Sequence, residues 1–395
     1  MGWACCIRRM APVACGVLLS ACSSLTSLPL APQSDNWQPP QTWHEVQQRI
    51  DGLANAMVER GSVPGVVVGI SLPTGEQQFY SYGIAASGST EPLTKDSVFQ
   101  VGSLSKGFLS ALLEMLVEEG VFSWDDTLED LFPGRADMSF QAKSITLLEL
   151  ATHTSGLPRQ IFDIPQLSRF ASFLFTGDNI YRNLDQAAIF TYLQDPSIHQ
   201  RGQVQYSNIG YALIGLAIES RTGQSVDDLI ERRLLTPLGL TATKFDAHRL
   251  PAGIQRAHGH AGDQPKFVRR GTPIQDWEFD RALRSSAGAF SNARDLLRYA
   301  SAHTQQSTEG MGQVLKHTLA PHACGLSSCA GLAWTIEHFP TGDIAYQVGL
   351  MGGYTSYIGI NVQKQVAVVV LMNGFSWENK LGHTLLVEVP SLLAP

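Results

Sequence analysis

Ser103-Leu104-Ser105-Lys106 stands between two contrasting stretches. Before it, Asp96-Ser97-Val98-Phe99-Gln100-Val101-Gly102 mixes polar and apolar residues and ends in glycine. After it, Gly107 to Gly120 carries Phe108, Leu109, Leu112, Leu113, Leu116 and Val117 at helical spacing. This pattern predicts Ser103 at or just inside a helix N-terminus, with Lys106 on the same face. A serine hydroxyl is a weak nucleophile until a base lies within reach. An ammonium becomes such a base when burial or a neighbouring charge lowers its pKa. The helix start adds backbone N–H groups for a developing oxyanion. Taken alone, the tetrapeptide also fits a capping serine followed by a surface lysine.

The first residues read as an address. Arg8-Arg9 is a positive start, and Met10 to Leu19 is a short apolar run broken by Pro12. Leu19-Ser20-Ala21-Cys22 then predicts a lipoprotein signal over residues 1–21, cut so that Cys22 carries the lipid. The run is too short to span a bilayer. A plain secretory signal cut at another small residue is the alternative. By resemblance to bacterial lipoproteins, the non-acidic Ser23 implies a periplasmic chain anchored at the outer membrane.

Cys5, Cys6 and Cys15 would leave with the signal. Cys324 and Cys329 remain, and two cysteines in an exported chain are expected to pair and pin a local turn. A metal site using them with His317 and His322 is the lesser alternative, because the spacing matches no common zinc pattern. No metal or other cofactor is expected. The formal charge is −7 before the two arginines of the signal are removed. There is no basic patch interleaved with aromatics, which argues against nucleic acid as a partner.

Residues 22–42 are rich in Ser, Pro and Gln and read as a flexible tether. Thr42 and Glu45 suggest a capping box, and Val46, Ile50, Leu53 and Met57 line one helical face. Val66 to Leu72 and Gln78 to Ile84 read as a hairpin about the turn at residues 73–76. Helices are expected over 145–152, 184–193, 208–221, 226–235 and 292–303. Strands return at 332–336, 354–360 and 366–372, and a helix over 377–387 closes the chain. Val366 to Met372 is almost continuously apolar, as a central strand covered on both faces must be. The chain ends thus build one sheet lobe, about 43–95 and 330–390. A mostly helical lobe, about 96–329, is inserted between them. Long loops are expected over 160–183 and 248–278, and His258-Gly259-His260 as an exposed pair in the second.

Tyr206-Ser207-Asn208 opens the 208–221 helix. A tyrosine hydroxyl near a lysine can relay a proton between a serine and a leaving group. Asn208 can hold the lysine and a substrate amide together. A helix cap by Asn208 beside a packed Tyr206 is the plainer alternative.

Together, S-x-x-K at Ser103, Y-x-N at Tyr206 and a glycine-spaced strand near the end resemble the serine penicillin-recognising enzymes. The nearest likeness is to class C β-lactamases, D,D-peptidases and their esterase members. Leu150 to Pro158, Pro237-Leu238-Gly239-Leu240 and Ser286 to Ser291 fall in the same order. The resemblance covers roughly residues 43–390. It implies an α/β (α+β) fold of β-lactamase/transpeptidase type, with a central antiparallel sheet, flanking helices and a mostly helical lobe. It implies an acyl-enzyme hydrolase, monomeric, for a small-molecule or peptidoglycan substrate such as β-lactams or D-Ala peptides. Ser103 would be acylated, Lys106 would take its proton and Tyr206 would serve the leaving group. Asn208 would bind substrate, and the N–H groups of Ser103 and Leu350 would form the oxyanion hole.

The third motif departs from the family pattern. Where relatives carry Lys or His, then Thr or Asn, then Gly, this chain has Gln347-Val348-Gly349. Gly349 would let substrate backbone approach, but Gln347 brings no charge. Recognition of a substrate carboxylate should weaken, and neutral esters or amides should gain, unless Arg284 or Arg294 supplies a cation. A muropeptide-binding descendant without turnover is the rival class.

Overall fold

The computed structural model describes residues 30, 38 and 40–390, except 162, 305–309, 326 and 379. The signal, Cys22 and most of the tether lie outside the described residues. The strands are β1 (Gly65–Ser71), β2 (Gln77–Gly83), β3 (Phe99–Gly102), β4 (Ala289–Ser291), β5 (Ala323–Cys324), β6 (Ser328–Ala330), β7 (Thr335–Phe339), β8 (Gly342–Met351), β9 (Tyr354–Asn361) and β10 (Val366–Met372). The longer helices are α1 (Trp43–Ile50), α2 (Ser105–Glu118), α3 (Ile164–Thr176), α4 (Gln186–Tyr192), α5 (Asn208–Thr222), α6 (Arg281–Ala287), α7 (Ala293–Ala302), α8 (Met311–Thr318) and α9 (Lys380–Glu388).

Eight strands form one antiparallel sheet in the order β2-β1-β10-β9-β8-β7-β6-β5. The architecture is mixed α/β, a central antiparallel sheet flanked by helices. β10 is buried along its whole length, for the reason its composition gives. Val366, Val368, Val370 and Met372 face a core shared with Val46 and Ile50 of α1 and Leu385 and Leu386 of α9. Ala367, Val369 and Leu371 face the other core, with Leu109 and Leu112 of α2 and Leu296 and Leu297 of α7. The period-two alternation of a strand thus divides its side chains between two helical layers.

β3 and β4 make a separate two-stranded ribbon that leads into α2. α2 is buried on all sides from Ser105 to Leu116, as a helix through the middle of a large core must be. The Thr42 cap of α1 is only half a box: Thr42 Oγ1 accepts from Glu45 N, while the Glu45 carboxylate accepts from Gln41 N.

The expected loop over 160–183 contains α3. Asp163 caps it, Pro165 lies in its first turn, and Gly177 ends it in the left-handed conformation. Its Ile164, Leu167 and Phe175 are exposed, so it shows no simple buried stripe. α6 and α8 are two further helices that periodicity did not mark. Cys324 and Cys329 form a disulfide across the β5–β6 hairpin, so their sulfurs are not metal ligands. His258 is exposed, but His260 is fully buried, correcting the expected exposed pair. The His260 ring accepts from Ser87 N–H at Nε2 and donates from Nδ1 to the Asn373 carbonyl, a structural role.

Candidate active site

Ser103 lies in the turn between β3 and α2, and Leu104 occupies the helix N-cap position. The hydroxyl of Ser103 therefore does not cap the helix. It accepts a hydrogen bond from Tyr206 Oη at 2.9 Å and one from Lys106 Nζ at 3.4 Å. Ser105 is turned the other way: its hydroxyl donates to the Gly102 carbonyl and accepts from Ala289 N, tying β3 to β4.

Lys106 is 1% exposed, which excludes the surface-lysine reading. Its ammonium donates to the Ser286 carbonyl at 3.0 Å and sits 5.0 Å from the Tyr206 ring centroid. Burial pulls its pKa below the usual lysine value; the Tyr206 phenol opposes that shift and the Arg159 charge adds to it. For Tyr206 the balance runs the other way. Burial alone pushes the phenol up, but the charges of Lys106 and Arg159, with its hydrogen bonding to Lys106 and Ser103, bring it below its ordinary value.

A laced loop holds these groups in place. Ser207 caps α5 through Gly210 N, and its hydroxyl donates to the Pro158 carbonyl. Ser207 N–H donates to His153 Nδ1, Gln205 N–H to the His153 carbonyl, and Asn208 N–H to the Arg159 carbonyl. The segment from His153 to Arg159 thus fixes where Tyr206 points. His153 stacks on Tyr206 with ring centroids 4.5 Å apart. Burial, then the charges of Lys106 and Arg159, lowers its pKa to about 3, so the ring is neutral at ordinary pH.

Two expected roles take a different form. The Asn208 carboxamide donates to Tyr181 Oη at 2.9 Å, and the lysine is held by Ser286 instead. Gly349 faces the protein's own backbone: a Cβ there would overlap the Val101 carbonyl and the Ser356 hydroxyl, which themselves hydrogen-bond. Gly349→Ala should therefore cost about 1–3 kcal/mol, read as a lower denaturation midpoint, because β8 cannot close on β3 without strain.

Leu350 lies one residue further along β8, opposite Thr355 of β9. The two-residue turn at Gly352-Gly353 makes Met351 and Tyr354 a hydrogen-bonded pair. Antiparallel pairs alternate, so the Leu350 N–H turns away from β9. A Cβ built on Gly102, next to Ser103, would stand 3.7 Å from that nitrogen. Gln347 is 6% exposed and its amide rests against Gly107 of α2, where an added Cβ would meet Nε2 at 2.6 Å. Neither of its side-chain polar atoms has a hydrogen-bond partner.

A cleft of about 740 Å³ adjoins the site, lined by Arg159, Phe173, Tyr181, Phe267, Trp277 and Leu350 among others. Gln100 of β3 clamps the Trp277 backbone through both its amide groups. The two arginines considered from the sequence are engaged elsewhere: Arg284 lies 2.8 Å from the Asp227 carboxylate, and Arg294 2.7 Å from Asp96. Arg159 is the residue that sequence reasoning missed; its one signal is its place directly after the His153–Pro158 segment. Among the described residues, Glu114 and Glu118 of α2 and His317 of α8 could together hold a metal ion, but they lie toward the far end of α2 and pair with one another.

A sequence model of the Beta-lactamase family matches residues 50–389, and the chain belongs to that family. β-Lactamases and penicillin-binding proteins are among its relatives. Penicillin-binding protein 4 of Amycolatopsis lactamdurans is 26% identical over 88% of this chain and 92% of its own length. An unguisins hydrolase of Aspergillus campestris is 23% identical over 84% of this chain and 62% of its own. A class C β-lactamase from Rhodobacter sphaeroides has the same fold, with a TM-score of 0.72 at 22% identity over 86% of this chain and 98% of that one. The homology supports a serine-hydrolase-type function.

Proposed function

We propose that the protein is a serine hydrolase that forms an acyl-enzyme on Ser103 with β-lactams or D-Ala-containing peptidoglycan peptides. The observation that carries this reading is the contact of one serine hydroxyl with both a phenol and a fully buried ammonium. A chain that only binds has no use for a buried lysine beside a serine, since its desolvation is costly.

In the proposed reaction Lys106, made less basic by burial, accepts the Ser103 proton directly or through Tyr206. Ser103 Oγ bonds to the substrate carbonyl carbon. The carbonyl oxygen becomes an oxyanion held by the N–H groups of Ser103 and Leu350. Tyr206 passes a proton to the leaving nitrogen as the C–N bond breaks. Water then attacks the ester and gives its proton to the Tyr206 phenolate, and Ser103 leaves with the proton that Lys106 returns. Hydrolysis of a neutral ester is the second reading, favoured by the uncharged Gln347.

The chain is further proposed to be exported, lipid-anchored through Cys22 at the outer membrane, and monomeric. Names among its relatives support action on acyl bonds of this kind: a penicillin-binding protein, β-lactamases and a hydrolase of unguisins.

Nitrocefin, a D-alanyl-D-alanine peptide and a short p-nitrophenyl ester, each followed by turnover and intact mass, test the assignment. A mass adduct on Ser103 with turnover of nitrocefin or the peptide is expected. Ester turnover without any β-lactam adduct would move the function to the second reading. An adduct that never turns over would leave a binding protein.

A further inference from the structure

Antiparallel register puts cross-strand partners on one face of a sheet, and residues two apart on a strand share that face. At the β5 edge of the large sheet this rule lines up four side chains. Asp343 of β8 stands opposite His338 of β7. Ile336, two residues before His338, stands opposite Cys329 of β6, and Cys329 stands opposite Cys324 of β5. A carboxylate, an imidazole and two sulfurs thus form one row across four strands. The contacts follow the row. His338 Nδ1 lies 2.6 Å from Asp343 Oδ1, and His338 Nε2 lies 4.0 Å from Cys329 Sγ, which is bonded to Cys324. Ser103 and its partners have no part in this row.

Each member orients the next. Gln363 Nε2 donates to Asp343 Oδ2 and holds the carboxylate in place. Burial pushes that carboxyl up, but the hydrogen bonds from His338 and Gln363 bring it below its ordinary value. An ionised Asp343 accepts from Nδ1–H, which leaves Nε2 of the ring facing the sulfur. When the ring carries its second proton, that proton points at Cys329. The two sulfurs differ in access. Cys324 is exposed, whereas Cys329 is 5% exposed. An incoming thiolate therefore reaches Cys324, and the sulfur it expels is the one beside the imidazole. A neighbouring cation stabilises a thiolate, and a stabilised thiolate leaves faster.

We propose that Cys324–Cys329 is a thiol–disulfide exchange site, opened by a dithiol at Cys324 with His338 as the acid for Cys329. The first thiolate of the dithiol bonds to Cys324 Sγ, the S–S bond breaks, and its electron pair goes to Cys329 Sγ. His338 Nε2 passes its proton to that sulfur, and the ring regains one from water. The second thiolate of the dithiol attacks its own sulfur in the mixed disulfide. Cys324 leaves as a thiolate and takes a proton from water. The dithiol ends as a cyclic disulfide, and the protein holds two thiols. Opening is local. β5 is a two-residue end strand, and the bond joins positions only five apart, so its loss loosens the hairpin and spares the fold.

The test follows opening of the bond in the full protein by dithiothreitol, with alkylated thiols counted by intact mass at timed quenches. The unaltered protein should open without denaturant. His338→Gln should open about 10-fold more slowly, the size of one charge-assisted hydrogen bond. His338→Lys keeps a cation there and should recover part of the rate. Asp343→Asn should slow opening by less. His322→Gln, two residues before Cys324, should leave it unchanged. Trapping with glutathione should place the mixed disulfide on Cys324. Equal rates in all variants, an adduct on Cys329, or opening that needs denaturant would each overturn the proposal. Thermal melts of the oxidised variants should coincide, because the His338–Asp343 pair is exposed and adds little stability. Rates that merely track the midpoints would assign the effect to stability and overturn it too.

Discussion

Ser103→Ala should abolish fluorophosphonate and fluorescent-penicillin labelling and lower kcat/KM by at least about 10³-fold on whichever substrate is turned over. The effect is large because nothing nearby can take over. Ser105 is buried, with its hydroxyl committed to Gly102 and Ala289, and Ser110 is bonded to Tyr211 deep in the core. The fold should be untouched, since the Ser103 side chain caps no helix and ties no strand. A gel of labelled protein and a thermal melt together check both statements. Labelling that persists in the variant would remove Ser103 as the nucleophile.

Lys106→Met should combine the opposite signs. Activity should fall about 10²- to 10⁴-fold, the range of general acid–base catalysis. Stability at neutral pH should rise by a few degrees in the thermal midpoint, because a buried ammonium is exchanged for an apolar chain of similar length. The direction of the pKa shift fixes the pH dependence. With the folded-state pKa below the ordinary 10.5, the unfolded chain binds more protons between the two values. Stability of the unaltered protein therefore climbs with pH across that window, and the variant lacks the climb. The acid limb of kcat/KM should fall below 10.5 in the unaltered protein for the same reason. A variant that melts earlier at every pH would show that the Lys106–Ser286 bond outweighs its desolvation.

Local pattern carried most of the architecture. The apolar run of β10, the alternation of its faces and the helical spacing after Ser103 are short-range consequences of burial, and each is found where its residues place it. α3 escaped notice because its outward Ile164, Leu167 and Phe175 blur the stripe that periodicity needs, although Asp163, Pro165 and Gly177 mark both its ends. Within the site, Ser103 and Tyr206 were legible as residues that open helices. The environment of Gln347 was not, because contact with Gly107 joins positions 240 residues apart in the chain. Arg159 was hidden for the same reason. Only the hydrogen bonds between its loop and the start of α5 carry it to Tyr206.

The order of strands in the sheet also constrains how this molecule comes into being. β1, near the start, lies between β2 and β10, and its register with β10 pairs Val66 with Met372. The central ladder therefore cannot form until nearly the whole chain has been made. Closing so long a loop is entropically costly and slow, and the hairpin of β1 and β2 must wait with one apolar edge unsatisfied. Such a chain stays open while it is synthesised and commits to its native state late. An arrested chain ending before residue 366 should remain sensitive to protease, whereas one that reaches α9 should not.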